Sequence, residues 1–227
     1  MDIEVLRGKL IVSCQPVPNG PMDRVEMIVA MAQAAVAGGA GGLRIEGVDN
    51  VRAVSAVLDV PMVGIVKRDL IETNVRITPF EEDVRALADA GAQIIAVDAT
   101  DRPRPVAVAA LLHAIHSAGR IAMADCATEA DGVAAIALGF DVIATTLSGY
   151  TQETMTTSDD PDYKLISTWS KRGFRVIAEG RLRTAQDAGR ALNAGSFAVT
   201  VGSAITRIEH VTEWFVDAMS TSSGIRR

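Results

Sequence analysis

The chain has 227 residues, a formal net charge of −6 and a pI near 5.1. This length is enough for one large domain with a sizeable core. The acidic balance argues against a nucleic-acid-binding surface, and no apolar stretch reaches the roughly 18–20 residues of a membrane span. We therefore expect a soluble protein with neither nucleic acid nor a membrane as partner.

The chain contains two cysteines, Cys14 and Cys126, and no CxxC spacing. This usage gives little support to a disulfide, a zinc site or an iron–sulfur cluster, and it fits a reducing compartment. The first residues also lack the apolar segment of a signal peptide. The sequence therefore predicts a cytoplasmic protein.

Short apolar runs and amphipathic helical patterns alternate along the whole chain. Strands are predicted at 10–13, 43–45, 62–66, 94–98, 121–124, 142–145, 176–178 and 198–201. Helices are predicted at 22–38, 49–58, 80–90, 105–117, 128–138, 161–171, 184–194 and 207–219. An Ala-rich helix end, a glycine and an apolar strand recur around Gly91, Gly139 and Gly195, which stand 48 and 56 residues apart. Each interval is long enough for two βα units.

Strict alternation of strands and helices implies a parallel sheet, and eight units in this length imply a closed (β/α)8 TIM barrel. We predict a single domain over 1–227 with a frayed tail at 220–227. Thr128, Thr184 and Thr206 stand where helix N-caps belong. The main alternative is an open doubly wound sheet, but the GxGxxG typical of that fold is absent after the first strand.

Polar residues follow the predicted strands, where the active sites of such barrels lie. In chain order they are Gln15, Arg44, Lys67, Asp98, Asp125, Thr145, Glu179 and Gly202. Many polar residues simply mark the exit of a strand. Two long, oppositely charged side chains at the ends of buried strands, Lys67 and Glu179, are less easily explained in that way.

Strand alternation places Lys67 on the same face as Val63 and Ile65, and Glu179 on the same face as Ile177. Apolar neighbours would lower the pKa of the lysine and prepare it as a base, whereas a nearby glutamate would oppose that shift. The alternative is a structural Lys–Glu ion pair.

The three histidines lie on predicted helices and are expected to play no part in the site. His113 and His116 stand three residues apart on one helix, and His210 lies on the last. Two histidines without further ligands make a poor metal site, so we predict no metal and no histidine base at the mouth.

The segments after strands seven and eight carry a separate signal for phosphate. Gly180 follows the seventh strand, and Gly202 and Ser203 follow the eighth, ahead of Arg207. Barrels often bind phosphate with backbone N–H groups in these two loops. Glycines allow close approach to the anion, and Arg207 can add a charge-assisted bond.

Together these segments resemble the N-acetylmannosamine-6-phosphate 2-epimerase family over nearly the whole chain. The motifs that carry the resemblance are Ile11-Val12-Ser13-Cys14-Gln15, Gly64-Ile65-Val66-Lys67-Arg68-Asp69, Thr145-Thr146-Leu147-Ser148-Gly149-Tyr150-Thr151, Ile177-Ala178-Glu179-Gly180-Arg181 and Val201-Gly202-Ser203-Ala204-Ile205-Thr206-Arg207. Two departures lie near the mouth: Ile45 and Glu46 follow Arg44 where the family commonly has Ala and Asn, and Leu70 replaces a usual tyrosine.

The resemblance implies interconversion of N-acetylmannosamine 6-phosphate and N-acetylglucosamine 6-phosphate, without cofactor or metal, by a protein that forms a homodimer. It places Lys67 and Glu179 at the catalytic positions. Gln15, Arg44, Asp125 and Arg181 fall on sugar-binding positions, and Gly202, Ser203 and Arg207 on the phosphate site. A lysine Schiff-base aldolase and a non-catalytic sugar-phosphate-binding barrel remain as alternatives.

Overall fold

The structure is a computed structural model that describes residues 1–223. Its eight strands pair in parallel in chain order, and β8 pairs with β1, which closes the barrel. The strands are β1 (Leu10–Cys14), β2 (Gly42–Glu46), β3 (Met62–Ile65), β4 (Ile94–Asp98), β5 (Ile121–Asp125), β6 (Val142–Ala144), β7 (Val176–Glu179) and β8 (Ala198–Val201). The predicted (β/α)8 barrel is confirmed.

A helix follows each strand, and β8 is followed by two helices, of which the short first one was not predicted from the sequence. They are α1 (Val25–Ala37), α2 (Val48–Ser55), α3 (Glu81–Asp89), α4 (Val108–Ser117), α5 (Glu129–Leu138), α6 (Tyr163–Lys171), α7 (Ala185–Asn193), α8 (Ser203–Thr206) and α9 (Ile208–Ser223). Helix α9 continues through the first part of the predicted tail, and 224–227 lie outside the described residues. None of the helices within residues 1–223 combines the length and hydrophobicity that a membrane span needs.

Two of the three predicted threonine caps are confirmed. Thr128 and Thr184 each form a capping box with an aspartate three residues later, so each satisfies an otherwise free N–H group of its helix. The prediction for Thr206 is wrong, because the short helix α8 intervenes between β8 and α9. Thr206 ends α8 and its hydroxyl donates to the carbonyl oxygen of Ser13 at 2.7 Å.

The strands divide the core into two apolar layers. Side chains such as Ile65, Met123 and Ile177 fill the barrel interior, and the alternate residues of each strand pack outward against the helices. A 3₁₀ turn at Ile3–Leu6 contributes to the interior layer together with Phe197, the residue just before β8. The carboxyl ends of the strands are therefore left as the polar end of the barrel.

Gly64, in the strand that leads to Lys67, has no room for a side chain. A Cβ atom there would lie 2.7 Å from the Cβ of Ala92 and 3.1 Å from a methyl group of Leu87. We expect Gly64→Ala to lower the free energy of unfolding by about 1–3 kcal/mol, as overpacking of a core does. Urea denaturation measures this. Gly189→Ala, on helix α7 with nothing within 4 Å, should be neutral or stabilising, and an equal loss in both variants would contradict the explanation.

Candidate active site

A cavity of about 360 Å³ opens at the carboxyl ends of the strands. Eight of the ten site residues predicted from the sequence line it: Gln15, Lys67, Glu179, Gly180, Arg181, Gly202, Ser203 and Arg207. They come from strand ends, loops and the start of helix α8, in segments far apart in the chain that closure of the barrel brings together.

Lys67 lies two residues beyond the end of β3, with its amine inside the cavity. Its Nζ donates to Oε1 of Gln15 at 2.6 Å, and the Gln15 amide in turn donates to the Ser13 hydroxyl at 2.7 Å. Burial, helped by the positive charges of Arg44 and Arg207, lowers the pKa of Lys67 to about 8, although nearby carboxylates oppose the shift. On the order of a tenth of the amine is therefore neutral at pH 7, and this is the form that a general base requires.

Glu179 ends β7 and reaches the same cavity. Burial raises the pKa of Glu179 to about 7, and the charge of Asp125 adds to the rise, while Arg44 and Lys67 oppose it. Thr145 fixes the backbone at this position, because its hydroxyl donates to the Glu179 carbonyl oxygen at 2.8 Å and accepts from the Glu179 N–H at 3.0 Å. The carboxyl group can thus hold or release a proton near neutrality.

A buried ion pair lies beneath these two groups. The Arg44 guanidinium donates to both oxygens of Asp125, at 3.1 and 2.6 Å, and to Oε2 of Glu179 at 3.1 Å. Burial alone would lower the pKa of Arg44, but Asp125 and Glu179 raise it, so the guanidinium stays charged. The side chains of Arg44 and Asp125 are only 1% and 0% exposed, and neither residue lines the cavity. This geometry favours a role in positioning Glu179 over direct contact with a ligand.

Another group of cavity residues is suited to an anion. Gly202 precedes helix α8 and Ser203 begins it, and both line the cavity together with Gly180. The Arg207 side chain is held in place by a bond from Nε to the Gln15 carbonyl oxygen at 2.9 Å. Glycine backbone and one fixed guanidinium are groups that bind phosphate in this position of a barrel.

Arg181 lines the cavity but directs its donors into the loop between β6 and α6. Its Nε donates to the Asp160 carbonyl oxygen at 2.7 Å, its Nη1 donates to that of Ser148, and its guanidinium lies 5.5 Å above the Tyr150 ring. These contacts favour a role in holding that loop. Asp98, another polar strand end, instead pairs with Arg102 and Arg104 and does not line the cavity.

Several cavity residues were not singled out by the sequence. Ser13 and Thr200 face the interior by strand alternation, a signal that was available, and the buried hydroxyl of Thr200 has no hydrogen-bond partner among the described residues. His210 and Trp214, on helix α9, also line the cavity, and the Arg183 guanidinium lies 4.9 Å above the Trp214 ring. The expectation that all three histidines lie away from the site is therefore wrong for His210, and no observation assigns it the role of a base. His113 and His116 are exposed on α4, as expected.

A closed parallel barrel with a lysine and a glutamate of shifted pKa at one mouth, beside a glycine-lined anion site, defines a class of proton-transferring (β/α)8 enzymes. The chain belongs to the N-acetylmannosamine-6-phosphate 2-epimerase family. The sequence model of the family described as "Putative N-acetylmannosamine-6-phosphate epimerase" matches residues 28–221.

Individual relatives agree with this assignment. The chain is 57% identical over 212 residues to a protein of Escherichia coli O9:H4 (strain HS) named "Putative N-acetylmannosamine-6-phosphate 2-epimerase", covering 93% of this chain and 92% of that protein. It is also similar to the solved N-acetylmannosamine-6-phosphate 2-epimerase from Clostridium perfringens, with a TM-score of 0.91, 38% identity and 95% coverage of each chain. A deoxyribose phosphate aldolase from Aeropyrum pernix, at 15% identity and a TM-score of 0.65 over 93% of this chain and 92% of the other, shares the fold alone.

Proposed function

We propose that this protein interconverts N-acetylmannosamine 6-phosphate and N-acetylglucosamine 6-phosphate, a step of sialic acid catabolism, by removing and returning the proton at C2. The observation that carries the proposal is the pair of shifted groups in one cavity. The pKa of Lys67 is lowered to about 8 and that of Glu179 is raised to about 7. A base and an acid that change roles near neutral pH are what a reversible C2 inversion needs.

Inversion at C2 removes a proton from one face of the carbon and adds one to the other. The C2–H bond is acidic only beside a carbonyl group, so the open-chain aldehyde is the reacting form. Lys67, held by Gln15, takes the proton as the neutral amine, which leaves an enolate at C1 and C2. Glu179 delivers a proton to the opposite face, and in the reverse direction the two groups exchange roles. The Arg44–Asp125 pair keeps the Glu179 carboxyl group in place.

We propose that the phosphate binds at Gly180, Gly202, Ser203 and Arg207, with Gln15 contacting the sugar. The bond between Arg207 and the Gln15 carbonyl oxygen links this anion site to the side that holds Lys67. Binding energy at the phosphate, remote from C2, can then be used to hold C2 between the two proton-transfer groups.

The test is NMR spectroscopy of N-acetylmannosamine 6-phosphate with the protein in D₂O. We expect deuterium to enter C2 as the N-acetylglucosamine isomer appears. A sample in which N-acetylmannosamine 6-phosphate keeps its C2 proton and no second isomer appears would overturn the proposal. It would instead support a protein that binds the sugar phosphate without chemistry, if binding is detected by calorimetry.

A Schiff-base aldolase is the enzymatic alternative, because a lysine with a lowered pKa is also a good nucleophile. Borohydride reduction in the presence of the sugar phosphate, followed by peptide mass spectrometry, separates the two mechanisms. We expect Lys67 to remain unmodified. A stable adduct on Lys67 would favour the aldolase.

The pH dependence of the reaction should be bell-shaped, with its maximum between about pH 7 and 8. Interconversion needs one proton on the pair, and both groups are protonated below about 7, whereas both have lost their proton above about 8. These limits belong to the coupled pair. Values of kcat/KM for both directions, obtained from initial rates across the pH range, measure this pH dependence. A rate that rises through pH 8 and then stays level would show that Lys67 works without Glu179.

We also propose a homodimer and a cytoplasmic location. Ile208, Phe215 and Met219 on helix α9 are 58%, 68% and 71% exposed, and apolar side chains clustered on one helix are typical of an interface. Sedimentation should show a dimer that Phe215→Glu weakens; a wild-type monomer would contradict this.

The proposed cytoplasmic location is supported by the two cysteines. They are free and buried, which fits a reducing compartment.

A further inference from the structure

The backbone of Lys67 needs support from outside its strand, because the residue lies beyond the last residue of β3, Ile65. On one side, Lys67 forms an isolated bridge with Ile77, and the Thr78 N–H donates to the Val66 carbonyl oxygen at 2.7 Å. On the other side, the Lys67 N–H donates to Oε1 of Glu46 at 3.2 Å. The Glu46 carboxylate is thus a direct support of the peptide that carries the amine.

Glu46 is itself held by regular structure. It is the last residue of β2, in register with Ile65, and the next N–H, that of Gly47, donates to the Ile65 carbonyl oxygen at 2.9 Å. The Glu46 carbonyl oxygen accepts from Nδ2 of Asn50 at 2.8 Å. Because these backbone bonds fix Glu46, its half-buried carboxylate can hold the segment that contains Lys67 in one position.

The charge of Glu46 also acts on the Lys67 amine. Four charged groups face that amine from the surrounding elements: Arg44 and Glu46 of β2, Glu179 of β7, and Arg207 between α8 and α9. The two arginines lower the pKa of Lys67, and the two glutamates raise it. Glu179 lines the cavity but Glu46 does not, so the proposed proton transfer does not pass through Glu46. Glu46 therefore adds to the negative charge that opposes the two arginines at the Lys67 amine.

We infer that Glu46 is a positioning residue for the reaction, which fixes the Lys67 backbone and balances Arg44 and Arg207. The inference rests on the proposed function for its kinetic consequences. Two substitutions separate the two parts of the role, because glutamine keeps the acceptor oxygen and loses the charge, whereas alanine loses both.

For Glu46→Gln we expect the alkaline limb of the kcat/KM profile to move to lower pH by at least about 0.5 unit, since a negative charge near the ammonium is lost. The melting temperature should stay near that of the wild type. For Glu46→Ala we expect, in addition, kcat to fall about tenfold or more, because the Lys67 amine is displaced. KM should stay nearly unchanged, because the residues proposed to bind the phosphate keep their positions. Glu72→Gln, an exposed glutamate in the loop after Lys67, is the matched control and should behave as the wild type.

The pKa of Lys67 can also be followed without any turnover, by competitive labelling with acetic anhydride at several pH values and peptide mass spectrometry. Glu46→Gln should shift the labelling curve of Lys67 in the same direction as the kinetic limb. Superimposable labelling curves for wild type and Glu46→Gln would overturn the inference. The wild type could also prove inactive while the labelling curve of Lys67 still shifts in Glu46→Gln. That result would overturn the proposed function but would establish the effect of Glu46 on the pKa of Lys67.

Discussion

Lys67→Met is expected to abolish exchange of the C2 proton and to raise the melting temperature at pH 7. The loss of rate should be about 10²–10⁴-fold or more, the contribution of a well-placed general base. The gain in stability follows from linkage. The pKa of Lys67 in the folded protein, about 8, lies below its ordinary value of 10.5. Lys67 therefore adds to stability only above its ordinary pKa, and that contribution is lost as the pH falls through 8.

At pH 7 the wild type holds an ammonium group that burial disfavours, and methionine keeps the apolar stem without the charge. The stability difference should narrow toward pH 10, where the amine is neutral in the folded protein. C2 exchange by NMR and thermal unfolding at both pH values measure the two effects. Lys171→Met, at an exposed lysine of α6, should change neither. Exchange within tenfold of the wild type in Lys67→Met would remove Lys67 from the mechanism.

Arg44→Met is expected to lower the free energy of unfolding by about 3–5 kcal/mol, the usual cost of breaking a buried ion pair. Asp125, which is 0% exposed, would lose both of its bonds to the guanidinium, and Glu179 would lose one. The Thr146 hydroxyl would still donate to Asp125 at 2.6 Å, but it carries no charge to compensate the buried carboxylate. Urea denaturation at pH 7 gives the change directly.

The double variant Arg44→Met with Asp125→Asn should recover part of the loss, because the uncompensated charge is removed together with its partner. The control is Arg52→Met on helix α2, where the arginine pairs with an aspartate that is 86% exposed. Exposed ion pairs contribute little to stability, so we expect the free energy of unfolding of Arg52→Met to lie within about 0.5 kcal/mol of the wild-type value. A loss below about 1 kcal/mol in Arg44→Met would show that Asp125 is stabilised in another way.

The repeating pattern predicted the barrel because it depends on local geometry. Alternation along a strand and helical periodicity are properties of the backbone, and glycines such as Gly139, at a left-handed φ of 109°, end helices for the same local reason. The same alternation put Lys67 and Glu179 on inward faces, where the structure has them. The extra helix α8 carried no comparable signal, since four residues are too few to show a period.

The positions of the buried residues of the site could not be predicted from the sequence. Arg44 and Asp125 were expected to bind the sugar, and the depth at which they pair depends on the register between strands that are 81 residues apart in the chain. His210 was expected to have no part in the mouth. It lines the cavity from helix α9, which follows the short helix α8, and its place there depends on tertiary packing.

The amino-acid sequence by itself determined the class of fold, the strand ends and the two residues proposed to exchange the proton, because periodicity and strand position are local properties. Only the tertiary structure decided which polar groups reach the cavity and which lie beneath it, and that the pKa of Lys67 falls while that of Glu179 rises. The physical reason is that burial and charge interactions depend on distances in space. Those distances exist only once the eight strands have closed.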